Sequence, residues 1–377
     1  MSKAADLANL IGNINMGGGG ANRNVIINGA MNVAQRGTSS TGLGANTSTT
    51  ATRYKVCDRW AVDVEGTTLG RYTLTQDSSA PEGFANSLKL ACTTADTSIG
   101  SGELVNLHQI IEGQNLQHFC KGTSSAKPYA VSFYVKGNAS ATYVCELFDA
   151  DNSRHVCKTF TVGTDWSRVE LSFPADTTGA FDDDNAASLH LQIFLHAGSN
   201  FTSGTLPATW ASKTNANRAA GGGSFFDSTA RTFFITGVQL EVGQNATEFE
   251  VELPDQSFKK CCRYCEVLKG SSNTLYGIAY NEDTNYATGI PKMFFPKRAA
   301  PTVSVNATAN FSNLSTGSTA ALQTIDFQTN ANSVMDANHN HSIRYRATSS
   351  NTTLVDGGAS TLAVYNNTAE LTIDAEL

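Results

Sequence analysis

The chain has 377 residues, of which only 16% are charged, against about 25% in an ordinary soluble domain. A hydrophobic fraction of 40% excludes a disordered chain, and a formal net charge of −7 excludes a surface built to neutralise phosphates. No apolar run reaches about 18 residues, so no membrane-spanning helix and no insertion into a bilayer are expected.

The chain begins with its clearest helical signal. Leu7, Leu10, Ile11 and Ile14 recur at helical spacing over Ser2–Ile14, and the pattern stops at Met16 before Gly17, Gly18, Gly19 and Gly20. An isolated helix of about three turns is marginal in water, so this apolar stripe needs a partner. The same segment lacks the apolar core of a secretion signal, which points to synthesis in a cytoplasm. The 8 cysteines are accordingly read as reduced thiols inside apolar runs, not as a disulfide framework. The N-x-S/T triplets at Asn46, Asn138, Asn245 and Asn351 are read as products of an Asn/Thr-rich composition.

From Asn24 onward the sequence reads as short strands separated by turns. Asn24–Asn28, Arg59–Val64, Arg71–Thr75, Ser87–Cys92, Tyr129–Lys136, Tyr143–Phe148, Trp166–Phe173, Ser188–Leu195 and Thr232–Glu241 are apolar or alternate at period two. With no helical periods between them, they predict an all-β jelly-roll or antiparallel sandwich domain over residues 21–253. A boundary is expected at Leu253–Pro254. Beyond it, Ser257–Lys269 reads as a helix, and Thr274–Tyr280, Lys292–Pro296, Pro301–Val305, Ser342–Arg346, Thr361–Tyr365 and Glu370–Asp374 read as strands. These predict a smaller C-terminal β-sandwich domain over 254–377.

Candidate chemistry is sparse. Cys261, Cys262 and Cys265 lack the second ligand pair that structural zinc takes, so no metal site is expected there. Asp182, Asp183, Asp184 and Asn185 offer hard oxygens of the kind calcium takes, but not the alternating loop with a central Gly and closing Glu, and read as a solvated acidic turn. Glu103, Glu112, Glu146, Glu170 and Glu241 could supply the carboxylate pair of a glycosidase only if the fold brings two of them across a groove. No phosphate loop, nucleophile elbow or cofactor motif is present, so no cofactor and no catalytic residue are expected. Of the three tryptophans, Trp60 and Trp166 lie in strands and read as core. Trp210 lies in the polar stretch Leu206–Arg218, which marks it with Asn215 and Asn217 as a loop set able to stack on and read a sugar. Tyr280, Asn285 and Tyr286 form a similar set in the second domain.

Several stretches together resemble the tail-fibre-type structural proteins of tailed bacteriophages, particularly marine ones: ADLANLIGNIN with its glycine run, NRNVIINGAMNVAQRGTS at 22–39, CDRW at 57–60, NSLKL at 86–90, IEGQNLQ at 111–117, GTSSAKPYAVSFYVKGN at 122–138, ITGVQLEVGQNATEFE at 235–250, RAAPTV and the final LTIDAEL. CCRYCE stands where CQRYYE is more usual, which weighs against an aromatic stacking role for that segment. The resemblance implies a jelly roll similar to carbohydrate-binding modules, a compact β-domain after it, and a homotrimeric, non-catalytic virion protein that meets a host-surface glycan or protein. Residues 1–20 would then anchor it on another virion protein. The alternatives are a head-attached fibre or decoration protein, and a glycan depolymerase.

Overall fold

The computed structural model describes residues 22–45, 53–66, 70–271, 274–291, 295–315, 318–328, 344–349, 354, 356–365 and 368–377. The expected anchor residues Leu7, Leu10, Ile11, Ile14 and Gly17–Gly20 lie outside them. The chain divides into two compact units, one running to Phe258 and joined by Leu377, the other Lys259–Glu376. Strand dominates both, so the all-β class expected from the period-two pattern is observed.

The first unit contains β1 (Ser39–Leu43), β2 (Ala61–Glu65), β3 (Arg71–Asp77), β4 (Ser87–Thr94), β5 (Leu104–Glu112), β6 (Tyr129–Gly137), β7 (Ala141–Asp149), β8 (Arg154–Val162), β9 (Ser167–Phe173), β10 (Ala187–Ala197), β11 (Ala211–Ser212) and β12 (Thr232–Val242). A short helix α1 (Ser199–Thr202) follows β10. The strands form two six-stranded sheets, ordered β1-β3-β4-β12-β6-β9 and β11-β8-β7-β10-β5-β2, with antiparallel neighbours.

One hydrophobic core lies between these sheets. Alternation decides which residues enter it: on β7, Tyr143, Cys145 and Leu147 face the core, and on β10 Leu189, Leu191, Ile193 and Leu195 do. Aromatic rings fill its middle, with Phe133 against Phe160 at 5.0 Å and Tyr143 against Phe233 at 5.5 Å between centroids. β12 bulges between Thr236 and Gln239, where Gly237 takes φ +62° with the Phe84 ring against its Cα. A side chain there would meet both backbone strain and that ring.

The nine-residue stretch after the expected boundary is helical as α2 (Pro254–Cys262), but the predicted helix does not continue to Lys269. Cys265–Lys269 is strand β13, paired residue for residue with Asp374–Glu370. A pairing across more than a hundred residues overrides the local helical spacing.

The second unit continues with β14 (Leu275–Asn281), β15 (Tyr286–Pro291), β16 (Thr302–Val305), β17 (Phe311–Ser315), β18 (Ser318–Gln328), β19 (Arg344–Ser349), β20 (Ala359–Val364) and β21 (Glu370–Asp374). The C-terminal sandwich expectation is corrected here. β14, β15, β19, β18, β17 and β20 form a closed barrel, and β13-β21-β16 a separate three-stranded sheet. Closure follows because β14 pairs with β15 on one side and β20 on the other, while β20 also pairs with β17. Tyr276, Phe311, Tyr345, Leu362, Val364 and Leu371 make up its core.

Candidate functional site

Trp210 is the first loop candidate that the structure corrects. It is 8% exposed, its Nε1–H donates to Pro174 O at 2.8 Å, and its ring lies 5.5 Å from Tyr129. The polar segment around it folds over the sheet and carries the indole into the core, leaving it no free face for a sugar. Trp166, expected in the core, is the partly exposed one, with the Lys136 ammonium 5.4 Å from its ring. Trp210→Ala is therefore expected to cost about 3–5 kcal/mol of folding stability through the cavity it leaves. Thermal unfolding measures that loss, and polysaccharide retention in the folded fraction should stay unchanged.

The partners of Trp210 do not form a site with it either. Asn217 Oδ1 accepts from the Thr205 backbone N–H at 3.0 Å, which ties the loop to itself, and Asn215 is exposed. In the second unit Tyr280 is 55% exposed on the barrel wall. Asn285 and Tyr286 donate backbone N–H groups to Asp283 Oδ1 at 2.6 and 2.8 Å, closing the turn before β15. The Tyr286 ring is covered by the Arg346 guanidinium at 4.2 Å, which Glu282 holds at 2.8 Å. Tyr280 is thus the one member of that set offering an open aromatic ring.

A different face collects polar and aromatic side chains. On the sheet β11-β8-β7-β10-β5-β2, the residues that point away from the core fall into rows by strand register. One row runs Ala61, His108, Gln192, Glu146, Cys157, and the next Ile110, His190, Phe148, His155, Ala211. A third carries Asp63, Asn106, Phe194 and Val144. At about 4.8 Å between strands, the first two rows cross roughly 20 Å of surface and the third roughly 14 Å.

Part of this face is sealed. Phe201, Leu206 and Ala219, from the segment between α1 and β12, pack on Leu104, Val144, Cys157 and Phe194. Arg218 from that segment reaches Glu146 with Nε at 3.1 and 3.2 Å and Nη2 at 2.7 Å, and donates to Gln192 Oε1 at 3.1 Å. Glu146 Oε1 also accepts from His155 Nδ1 at 2.8 Å. Burial works to raise the Glu146 pKa, but the His155 hydrogen bond and the Arg218 charge outweigh it and hold the carboxyl below its ordinary range.

Glu146, His155 and Cys157 are the one group among the described residues with ligand atoms close enough to share a metal ion. The chemistry of the set does not fit one: Arg218 occupies the carboxylate, and burial followed by the Glu146 charge pushes the Cys157 thiol far up. Asp182, Asp183 and Asp184 are exposed, with Asp184 Oδ1 accepting from Ala186 N–H at 2.9 Å in a local turn. Cys261, Cys262 and Cys265 are buried.

The face stays covered over His108, Asn106 and Gln192 and opens at His190 and Phe148. His190 and Phe148 are partly exposed, and Lys213, itself exposed, stands 4.9 Å over the Phe148 ring. His108 and His190 stack with centroids 6.3 Å apart, and Phe148 meets His190 edge-on at 5.4 Å. Burial, then the Arg53 and Arg59 charges, pull His108 down to about 3, and burial, then His108, pull His190 down to about 3. Unfolded histidine takes a proton below about 6.5, whereas these two resist until about 3, so stability is expected to fall as pH drops through that window. Urea midpoints measured across it should fall less steeply in a His108→Phe, His190→Phe double variant.

Each of the candidate glutamates Glu103, Glu112, Glu146, Glu170 and Glu241 is engaged by a neighbouring side chain or backbone group. Glu103 bonds His196 Nε2 at 3.1 Å, Glu112 accepts from Gln114 at 2.5 Å, Glu170 pairs with Arg168 at 2.7 Å, and Glu241 accepts from Thr247 and Gln239. His196 Nδ1 accepts from Ser224 Oγ at 2.7 Å, which completes a Ser–His–Glu chain. Three backbone donors beside it are already used: Phe225 N–H bonds Leu195 O, Phe226 N–H bonds Ser224 Oγ and Gly223 N–H bonds Thr142 O.

No protein-family profile and no curated protein matches the chain. Solved structures with a similar arrangement include a family 30 carbohydrate-binding module (14% identity, 62% of this chain and 94% of that one, TM-score 0.29). A family 11 module from Clostridium thermocellum in complex with a β-1,3-1,4-mixed-linked tetrasaccharide is similar over 56% of this chain and 98% of that one, at 12% identity and TM-score 0.26. The enzymatically active domain of tailspike protein 4 of bacteriophage CBA120 is similar over 49% of this chain but 19% of its own length, at 13% identity and TM-score 0.27. At these scores the likenesses assign this chain neither a family nor an activity.

Proposed function

We propose that this chain is a non-catalytic virion structural protein of a tailed bacteriophage, a homotrimeric tail fibre that contacts a polysaccharide on the host surface. The outer face of the β11-β8-β7-β10-β5-β2 sheet carries this reading. It sets the partly exposed Phe148 ring edge-on beside the partly exposed His190 imidazole, the pairing of an apolar platform with a polar ring that sugar recognition uses. The tail-fibre-type motifs of the sequence support the virion assignment, and the engaged state of Glu103, Glu112, Glu146, Glu170 and Glu241 supports binding without cleavage. Three weak sites on one fibre gain avidity from a shared attachment point.

The test has two arms. Antibody to the chain should decorate projecting fibres on intact particles, and the purified protein should be retarded in gels containing neutral polysaccharide without shortening it. Phe148→Ala should lose most of that retardation. Label on the shell alone favours decoration, and polysaccharide shortening favours a depolymerase.

A further inference from the structure

We propose that the apolar stripe Leu7, Leu10, Ile11 and Ile14 of this chain's own N-terminal segment docks in a cleft of the first unit, beside the point where the chain emerges at Asn22.

The cleft holds about 290 Å³, and Ile26, Phe84, Phe249, Val251, Leu253 and Pro254 are among the residues that line it. The Phe84 ring packs against Phe249 at 5.1 Å and against Tyr134 at 5.3 Å between centroids, which gives the cleft an aromatic wall. Its apolar lining is open to water. Among the described residues of the first unit, the exposed large hydrophobic side chains are Ile99, Val251, Leu253 and Phe258. Two of these line the cleft, Val251 at 80% exposure and Leu253 at 62%. Single exposed apolar side chains are ordinary, but two beside a pair of aromatic rings in one concavity make a patch suited to another apolar surface.

The place where the chain emerges names the occupant. Glu250, on the cleft lining, accepts from the backbone N–H groups of Asn22 at 2.6 Å and Asn24 at 2.8 Å. Arg23 donates to Glu248 O at 3.0 Å, and Asn24 Nδ2 to Val238 O at 3.1 Å. The backbone is thus pinned along the cleft as far as Asn22, and the segment 1–21 starts from its rim. Eight residue steps separate Asn22 from Ile14, a reach of about 26 Å when extended, and Gly17–Gly20 let the chain turn back. As a helix, Leu7 to Ile14 spans about 11 Å. A flexible tether this short holds the stripe over the cleft at an effective concentration on the order of millimolar, which favours it over a free partner.

Each side supplies what the other lacks. The stripe belongs to a helix of about three turns that is marginal alone in water, and the cleft presents apolar surface that is bare. On such a helix Asn9, Gly12 and Asn13 fall away from the stripe, so docking leaves the polar side in solvent. A virion protein that took the stripe would uncover the cleft.

Nuclear magnetic resonance on the full chain tests the docking. Asn9→Cys carries a nitroxide, in a background where Cys120→Ser removes the one cysteine that is not buried. The backbone amide signals of Gly29, Phe84, Ala85 and Val251 should lose intensity to the label. They should regain it when Leu10→Asp and Ile14→Asp are added to the same labelled chain. Full intensity in the labelled chain overturns the proposal. Loss that survives the two aspartates also overturns it, since the tether alone then brings the label near. A mixture of labelled, isotope-free chains with unlabelled 15N chains should leave these signals intact; loss in that mixture assigns the cleft to a second copy's segment and overturns docking within one chain.

Discussion

Replacing Arg218 by methionine is expected to cost the first unit about 3–5 kcal/mol, because it leaves the Glu146 carboxylate buried without its main counter-charge. The loss should appear as a drop in Tm on the order of 10 °C for a unit of this size. It should also loosen the segment that carries Phe201 and Ala219, since Arg218 ties that segment to β7 and β10 through Glu146 and Gln192. A double variant, Glu146→Gln with Arg218→Met, should recover much of the loss because no unpaired charge then remains. The pH dependence carries a definite sign. Glu146 is held below the ordinary carboxylate range when folded, so the stability it adds is present above that range and disappears as pH falls through its folded pKa. If Arg218→Met unfolds at the wild-type temperature, the pair does not hold the segment down.

The second large effect is expected at Lys121. Its ammonium is closed off from solvent and surrounded by oxygens: Asp149 Oδ2 at 2.6 Å, Asp176 Oδ2 at 3.2 Å, and the carbonyls of Thr178 and Gly179 at 2.9 and 2.6 Å. The rings of Phe181 and Trp210 lie 5.2 and 5.5 Å from it. Lys121→Met preserves most of the stem's volume but leaves the fully buried Asp149 with only Asn152 as donor, and about 3–5 kcal/mol is expected to be lost. Asp176 is less affected, because Arg154 holds it at 2.8 Å. Chemical denaturation separates the two cases: Lys121→Met should lower the midpoint strongly, and Lys121→Met combined with Asp149→Asn should restore part of it. An unchanged midpoint in the single variant would show that the cage adds nothing to the fold.

The two-sheet unit was legible because alternation was strong wherever one face met the core. Ser188–Leu195 shows this most directly, since its Leu, Leu, Ile and Leu face inward and its His190, Gln192 and Phe194 face outward. The same alternation held the signal for the polar face, which polar loops drew attention away from. Trp210 was misread because a polar neighbourhood in sequence says nothing about a distant carbonyl such as Pro174 O. His108 and His190 lie eighty-two positions apart and meet only through the pairing of β5 with β10. Barrel closure was hidden for a related reason: it depends on β14 meeting β20 across nearly the whole second unit, which no local pattern records. The predicted helix over Ser257–Lys269 failed at Cys265, where pairing with the terminal strand wins over spacing.

A closed barrel has a consequence for crowding. Among the described residues, its six strands satisfy one another around a ring, which leaves no bare strand border there on which another chain's backbone could extend the sheet. Copies packed side by side at high local density are thereby kept from fusing through main-chain hydrogen bonds. The exposed Ile278, Tyr280 and Ile290 on the barrel wall can then meet neighbours through side chains alone.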